Sequence, residues 1–299
     1  MLVLIAGITG MVGKPCAEAA LARGHAVRGL GRSPDKLGQD LLTRLEGFEK
    51  STGIYDLAAL ERAVAGVDAV ICAYGFDPEL VVEGQLLLLR AAERAGVKIF
   101  HAASWNYDWS RGYLGQHESY DPYIVFAAHV RVSSNIKPIY MFTGAIADFI
   151  FYDERDKIWN KETKTFHYFG DKTQALRYTT ADDIAAYTIE AIQAPGAENG
   201  GYVRVQSFAV SPTDVVAAYE AAHGRKAHAQ CVGSIEDAER MLAKARATTS
   251  PVAHDEYIGL SYAVHMARGS WEYEPSDGAR FPTVKPTDLK SWLLAHPDL

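Results

Sequence analysis

Met1-Leu2-Val3-Leu4-Ile5-Ala6-Gly7-Ile8-Thr9-Gly10-Met11-Val12-Gly13 opens the chain. Six apolar residues run into glycines at positions 7, 10 and 13, and Lys14 to Arg23 then reads as a helix. A buried strand, a glycine-rich turn and a helix make the first unit of a dinucleotide-binding fold. A pyrophosphate must come close to backbone N–H groups and to the positive end of a helix. Gly7 allows the tight turn, Gly10 lets the main chain meet the phosphates, and Gly13 lets the helix sit against the strand. Thr9, Met11 and Val12 complete the expected loop. The context separates this from glycine spacing alone: the motif follows a strand and opens a helix.

Working outward, strand and helix patterns alternate. Strands are expected at Ala26–Leu30, Phe48–Ser51, Asp68–Ala73, Val97–Ala103 and Pro138–Phe142. Helices are expected at Asp56–Ala65, Glu79–Ala95 and Asp121–Ser134, with Gly96 as a C-cap. The repetition predicts an α/β fold: a doubly wound parallel sheet of the Rossmann type, with helices on both faces. A smaller, interleaved C-terminal substrate region is expected. The division is 1–149 for the nucleotide-binding core and 150–299 for the rest, with about 182–206 returning to the core. Helices are also expected at Asp182–Ile192, Thr213–Ala222 and Ser234–Arg246 and near Leu289, and a strand at Tyr202–Gln206. Asp182 and Asp183 would cap or begin their helix. The charged run Asp153 to Lys157 reads as a solvated loop.

Composition narrows the function. The chain has 299 residues, 48% hydrophobic and 22% charged, as in globular proteins. A net charge of −7 without a long basic run disfavours nucleic acid as the main partner. The three cysteines, Cys16, Cys72 and Cys231, are scattered and suit a reducing compartment. The first apolar run has no basic flank and is cut by glycine, so it reads as a strand rather than a signal peptide. No stretch is long enough to span a bilayer. A cytoplasmic protein is expected. His101, His117, His223, His228, His254 and His265 show no metal-ligand spacing, so no metal site is expected.

The order of motifs resembles the NmrA-like family of atypical short-chain dehydrogenases, which includes the isoflavone reductase-like enzymes. The resemblance rests on Gly7-x-x-Gly10-x-x-Gly13, Gly31 to Leu37, Ala65 to Ile71 and Phe100 to Ser104. It continues in Thr179 to Ala185 and Phe281 to Thr287, and so covers nearly the whole chain. It implies an NADP(H)-binding core and reduction of an aromatic or polycyclic small molecule. Some family members bind the dinucleotide as regulators without catalysis.

The residues point to NADP(H) independently. An acidic residue ending strand two would accept from the ribose 2′-OH of NAD. Here that position offers Arg32, with Lys36 one turn later, and cations suit a 2′-phosphate. Tyr74 and Gly75, at the end of the fourth strand, and Ser104, at the end of the fifth, should border the cofactor. The Tyr-x-x-x-Lys pair of ordinary short-chain dehydrogenases is not found between Ser104 and Pro138, and Tyr168-x-x-x-Lys172 reads as coincidence. Isoflavone reductase-like enzymes place a Lys on the helix before strand six, three residues after a Phe. The similar position after Phe126 holds His129. An imidazole titrates near neutral pH and is a candidate proton donor. Tyr107 is a second candidate acid, and Ser104 a third polar group. Trp105, Asn106, Tyr107, Trp109, Phe149 and Tyr152, with Tyr113 and Phe151 nearby, suggest an aromatic wall for a ring-bearing substrate.

The leading expectation is an NADP(H)-dependent reductase of an apolar aromatic or polycyclic molecule in secondary metabolism. The alternatives are a redox-neutral isomerase or cyclase on the same scaffold, and a non-catalytic NADP-sensing regulator. The partner is a small apolar substrate, with no nucleic acid and no membrane span, and a homodimer is a permitted assembly.

Overall fold

A computed structural model describes residues 1–152, 158–270 and 272–299. Seven strands form one sheet. They are β1 (Leu2–Ala6), β2 (Ala26–Gly31), β3 (Gly47–Lys50), β4 (Ala69–Cys72), β5 (Ile99–His101), β6 (Ile139–Phe142) and a late strand, Gly201–Arg204. Their order is Gly201–Arg204, β6, β5, β4, β1, β2, β3, and every pairing is parallel. β4 and β6 are buried along their whole length, and β1 is buried over Val3–Ala6. Continuous apolar runs covered on both faces are what a parallel sheet requires. The chain moves outward from β1 through β2 to β3, then crosses back to β4 on the other side of β1. Strand order reverses there, and the crevice beyond those strand ends is where such sheets hold ligands. The expected doubly wound α/β fold is present.

Two apolar layers sandwich the sheet. One gathers Leu4, Val70, Leu88, Phe100, Phe126 and Phe142. The other gathers Val3, Ile5, Cys16, Ile71, Met141 and Ile184. Helix α1 (Gly13–Ala22) lies on the second layer and packs against the helix Ala181–Gln193. That helix and the strand Gly201–Arg204 bring the chain back to the sheet between segments that build two small sheets. One orders the strands Phe208–Val210, Leu176–Thr179 and Ala145–Ile146; the other orders His228–Gly233, Thr165–Phe169 and Trp159–Asn160.

Several boundaries differ from expectation. The helix expected at Glu79–Ala95 begins as a π-helical segment, Leu80–Gly84, before the regular helix Gln85–Arg94. A Cβ on Gly84 would come within 3.0 Å of the Ile54 side chain, so the segment passes close over the Ser51–Asp56 loop. The expected strand Val97–Ala103 is only Ile99–His101. The larger difference is the helix Ile258–Ala267, Ile-Gly-Leu-Ser-Tyr-Ala-Val-His-Met-Ala, in a stretch with no predicted element. It has no charged face to mark a helical period. The charged run 153–157 lies outside the described residues.

The C-terminal segment is clasped to the core by one carboxylate. Thr180 caps the helix Ala181–Gln193, its side chain accepting from Asp183 N at 3.1 Å. Asp183 sits in that helix's first turn, buried. It accepts from the Thr287 N–H at 2.8 Å, from the Thr287 hydroxyl at 3.0 Å, and from the Ser207 hydroxyl. Both Thr287 N and the Ser207 hydroxyl use the same carboxylate oxygen, Oδ2. An amide there would turn either a donor or a weaker acceptor toward them. Charge-assisted hydrogen bonds are worth more than neutral ones, so Asp183→Asn should destabilise the fold by about 2 kcal/mol. Denaturant titration reads this directly; an unchanged midpoint would mean that the clasp contributes no stability.

Candidate functional site

The turn after β1 is built as a cradle. Gly7 has φ +77°, and a Cβ there would lie 2.3 Å from the Ala73 carbonyl oxygen. A Cβ on Gly13 would lie 2.3 Å from the Gly7 carbonyl oxygen. These two glycines are demanded by the turn's own packing. Gly10 is different: it is exposed, and its Cβ would meet only Gly7 O at 3.2 Å and Ala73 O at 3.8 Å. Gly10 N donates to Gly7 O at 2.9 Å. Thr9 and Val12 are half-buried around it, and Met11 is exposed. The first turn of α1 contains no acid, and Val12 at its start makes no side-chain cap. Helix N-termini leave N–H groups without intrahelical partners and carry partial positive charge. The cradle, bare at Gly10 and free of carboxylates in the first turn, fits a pyrophosphate.

Arg32 follows β2 directly, and Lys36 lies in the short helix Pro34–Leu37. Both are exposed, and neither forms an ion pair among the described residues. Tyr74 and Gly75 follow β4. Tyr74 packs on the core beside Gly84, while Gly75 is exposed.

Beyond the ends of β4, β5 and β6 lies an apolar chamber of about 170 Å³. Each strand end contributes to it. Phe76 comes from the segment after β4, Asn106 and Tyr107 from after β5, and Gly144 to Ile146 from after β6. Phe149 closes one side, edge-on to Phe76 with centroids 6.2 Å apart. The helix Ile258–Ala267 roofs the chamber with Ile258, Gly259, Tyr262 and Met266. Asn106 is fixed by the sheet, since its carbonyl accepts from Thr143 N at 2.9 Å. The Tyr107 hydroxyl donates to Met266 Sδ at 3.2 Å. Burial pushes this phenol's pKa well above its ordinary value, so it stays protonated.

Asn106, Tyr107 and Phe149 therefore lie where a substrate wall was expected. Others do not. Trp105 is buried between the sheet and the helix Ala181–Gln193. Its indole donates to the Thr188 hydroxyl at 3.0 Å and it stacks on His101 at 4.9 Å. Burial holds His101 neutral, its pKa pushed down to about 3. Trp109 is also a core residue, packed against Tyr123, Tyr140 and Phe142. Tyr152 turns to the C-terminus and donates to Asp298 at 2.9 Å. Ser104 uses its hydroxyl to join β5 to β6. It donates to Ala102 O at 3.0 Å, accepts from Met141 N at 2.8 Å, and is buried. That bonding makes Ser104 a fastener of the sheet.

His129 departs furthest from expectation. The helix Asp121–Ser133 buries Pro122, Tyr123, Phe126 and Val130. His129 lies on the exposed side of that helix with Val125, Ala128 and Val132. It does not line the chamber. Phe126 and His129 fall on either side of the boundary between buried and exposed faces, so a spacing of three does not carry the imidazole inward.

The roof was missed in the sequence. Tyr262 and Met266 form an i, i+4 pair, and Ile258 lies one turn before Tyr262. That spacing was the available signal. It was hidden because the helix is apolar on nearly every side.

Parallel strands, a glycine turn opening α1 and a cleft at the switch point define a dinucleotide-binding protein of the Rossmann class. The chain belongs to the NmrA-like family, whose pattern matches residues 1–293. A bifunctional pinoresinol-lariciresinol reductase of Linum perenne is 29% identical over 242 residues, covering 75% of this chain and 76% of the relative. The phenylcoumaran benzylic ether reductase POP1 of Populus trichocarpa is 25% identical over 315 residues, covering 97% of each. The solved binary complex of leucoanthocyanidin reductase with NADPH from Vitis vinifera superposes with a TM-score of 0.77 at 20% identity. It covers 100% of this chain and 99% of that one. No helix among the described residues is long and apolar enough to cross a membrane.

Proposed function

We propose that this protein is an NADPH-dependent reductase of an apolar, ring-bearing small molecule. One observation carries the reading: the glycine cradle and the apolar chamber both open at the same edge of the parallel sheet. Similarity to reductases of aromatic plant compounds supports it. The cofactor, when bound, supplies hydride. Gly7 to Gly13 would hold its pyrophosphate, and Arg32 and Lys36 its 2′-phosphate. The chain's own residues do the rest. Asn106 orients a polar group of the substrate, Phe76 and Phe149 flank its ring, and the Tyr107 phenol donates a hydrogen bond or a proton as charge develops. The roof over the chamber excludes water.

NADPH absorbance, followed with a panel of aromatic aldehydes, enones and benzylic ethers, tests the reaction. Consumption of cofactor with formation of reduced product supports a reductase. Product without consumption would replace it with an isomerase or cyclase, and tight binding without product with a regulator.

The dinucleotide preference is separable. A charge-assisted contact to the 2′-phosphate is worth roughly 1.5–3 kcal/mol, and about 1.4 kcal/mol is tenfold in affinity. Arg32→Ala should therefore weaken NADPH about tenfold or more while leaving NADH binding nearly unchanged. Titration of both nucleotides reads the ratio. Equal affinities in the wild-type protein would overturn the assignment.

A further inference from the structure

The roof helix Ile258–Ala267 is joined to the core through the segment that leads into the helix Asp121–Ser133. His117, buried in that segment, is wedged between the two. Its ring lies 4.8 Å from that of Tyr120, which belongs to the core. On the other side it lies 4.5 Å from the Tyr262 ring and 5.3 Å from the His265 ring, both on the roof helix. Tyr262 also lines the inner chamber, together with Ser119. Beside the wedge, Glu118 accepts from the Ser261 hydroxyl of the roof helix at 2.9 Å. It also accepts from Arg246 Nε at 2.6 Å and Arg246 Nη2 at 3.0 Å, from the helix Ile235–Thr248.

We propose that His117 and His265 form an acid-sensitive latch. Neutral, the pair holds the roof on the core; protonated in weak acid, it releases the roof as a local opening while the main sheet stays folded.

Like charges on two imidazoles with centroids 5.3 Å apart repel, and a buried charge loses its hydration. Among the described residues, the titratable and charged groups around the pair come from four elements. Glu118 and Tyr120 share the segment of His117, and Tyr262 shares the roof helix with His265. Arg246 comes from the helix Ile235–Thr248, and His254 from the segment Pro251–Glu256. Tyr257 reaches the Glu118–Arg246 pair. Glu118 is the carboxylate in this set, and Arg246 and Ser261 already engage it. Arg246 and His254 add to the repulsion. Burial, helped by the His265 ring, pushes the His117 pKa down to about 3. Burial lowers the His265 pKa too, against a hydrogen bond with the Gln116 main chain. Released into water, an imidazole titrates near about pH 6.5. The closed roof is therefore fully favoured above that pH, and it loses ground as pH falls from there toward about 3. The opening falls on the acid side, opposite in direction to the loss of a general acid. The roof packs chiefly on the helix Ile235–Thr248 and the small-sheet strand Thr165–Phe169. It can therefore lift without unpairing a strand of the main sheet.

Hydrogen exchange of the unliganded protein tests the latch. From about pH 7.5 to about pH 5.5, ionisation of His117 alone should lower the protection factors of the roof helix and of residues 112–120 about tenfold. The amides of β4 and β6 should keep theirs. His117→Gln should remove most of that tenfold loss. Unchanged roof protection in the wild-type protein would overturn the proposal. So would an equal loss in β4 and β6, or a loss of full size in His117→Gln. Should His117→Gln not fold, nuclear magnetic resonance of the wild-type His117 ring decides. The imidazole should be neutral at about pH 5.5 in the closed protein, and ordinary titration near about pH 6.5 would sink the latch. The readout needs no ligand, so its failure leaves the reductase reading untouched.

Discussion

Gly10→Val should weaken NADPH binding about a hundredfold or more while the melting temperature barely moves. The expectation follows from the unequal crowding of the three glycines. Gly7 and Gly13 each face a backbone oxygen 2.3 Å from where a Cβ would sit. A side chain at either would break the turn itself, and loss of binding would then report misfolding. Gly10 has no such obstacle: its nearest neighbour would be 3.2 Å away, and its φ is not in the left-handed region. The turn tolerates a side chain there with a small adjustment. What it loses is the open approach to the backbone N–H groups at the start of α1, the purpose of a bare residue at this point. A hundredfold loss corresponds to about 3 kcal/mol, comparable to one or two charge-assisted hydrogen bonds. Calorimetry with NADPH gives the affinity, and a thermal melt of the unliganded protein gives the control. Wild-type affinity in Gly10→Val would remove the pyrophosphate from this turn.

The sheet was legible because its code is local. Apolar runs of four or five residues recur at β1, β4 and β6 among glycine turns and helices, and the parallel fold follows from the alternation of strand and helix. The glycine cradle was legible for the same reason. The chamber was legible only in part. Asn106, Tyr107 and Phe149 border it, but Trp105 and Trp109 belong to the core. An aromatic side chain after a strand can turn to the cleft or back under the sheet, and composition does not distinguish these. The bonds that decide it are long-range: Trp105 to Thr188, and Trp109 against Tyr140 and Tyr202. The roof was least legible. Helix Ile258–Ala267 is packed against the strand Thr165–Phe169 on one side and against the helix Ile235–Thr248 on another. An element covered on several sides loses the polar stripe by which helices are read.

Tyr107→Phe should lower turnover of any substrate reduced in the inner chamber by at least about a hundredfold, the usual scale of a lost general acid. The KM should change little, because the ring and its packing remain. His129→Gln should leave turnover within about threefold of wild type, since that imidazole stands on the exposed side of its helix. The two variants together discriminate between the chamber's phenol and the position suggested by family spacing. The pH profile gives a second check. A phenol donates only while protonated, and an ordinary tyrosine loses that ability near pH 10. Burial raises the Tyr107 pKa well above that value. The group's contribution is therefore full at every lower pH, and ionisation of the phenol should cause no decline in rate up to about pH 10. A rate that falls with an apparent pKa near that of imidazole, or a Tyr107→Phe variant that turns over normally while His129→Gln does not, would return the proton to the helix and remove it from the chamber.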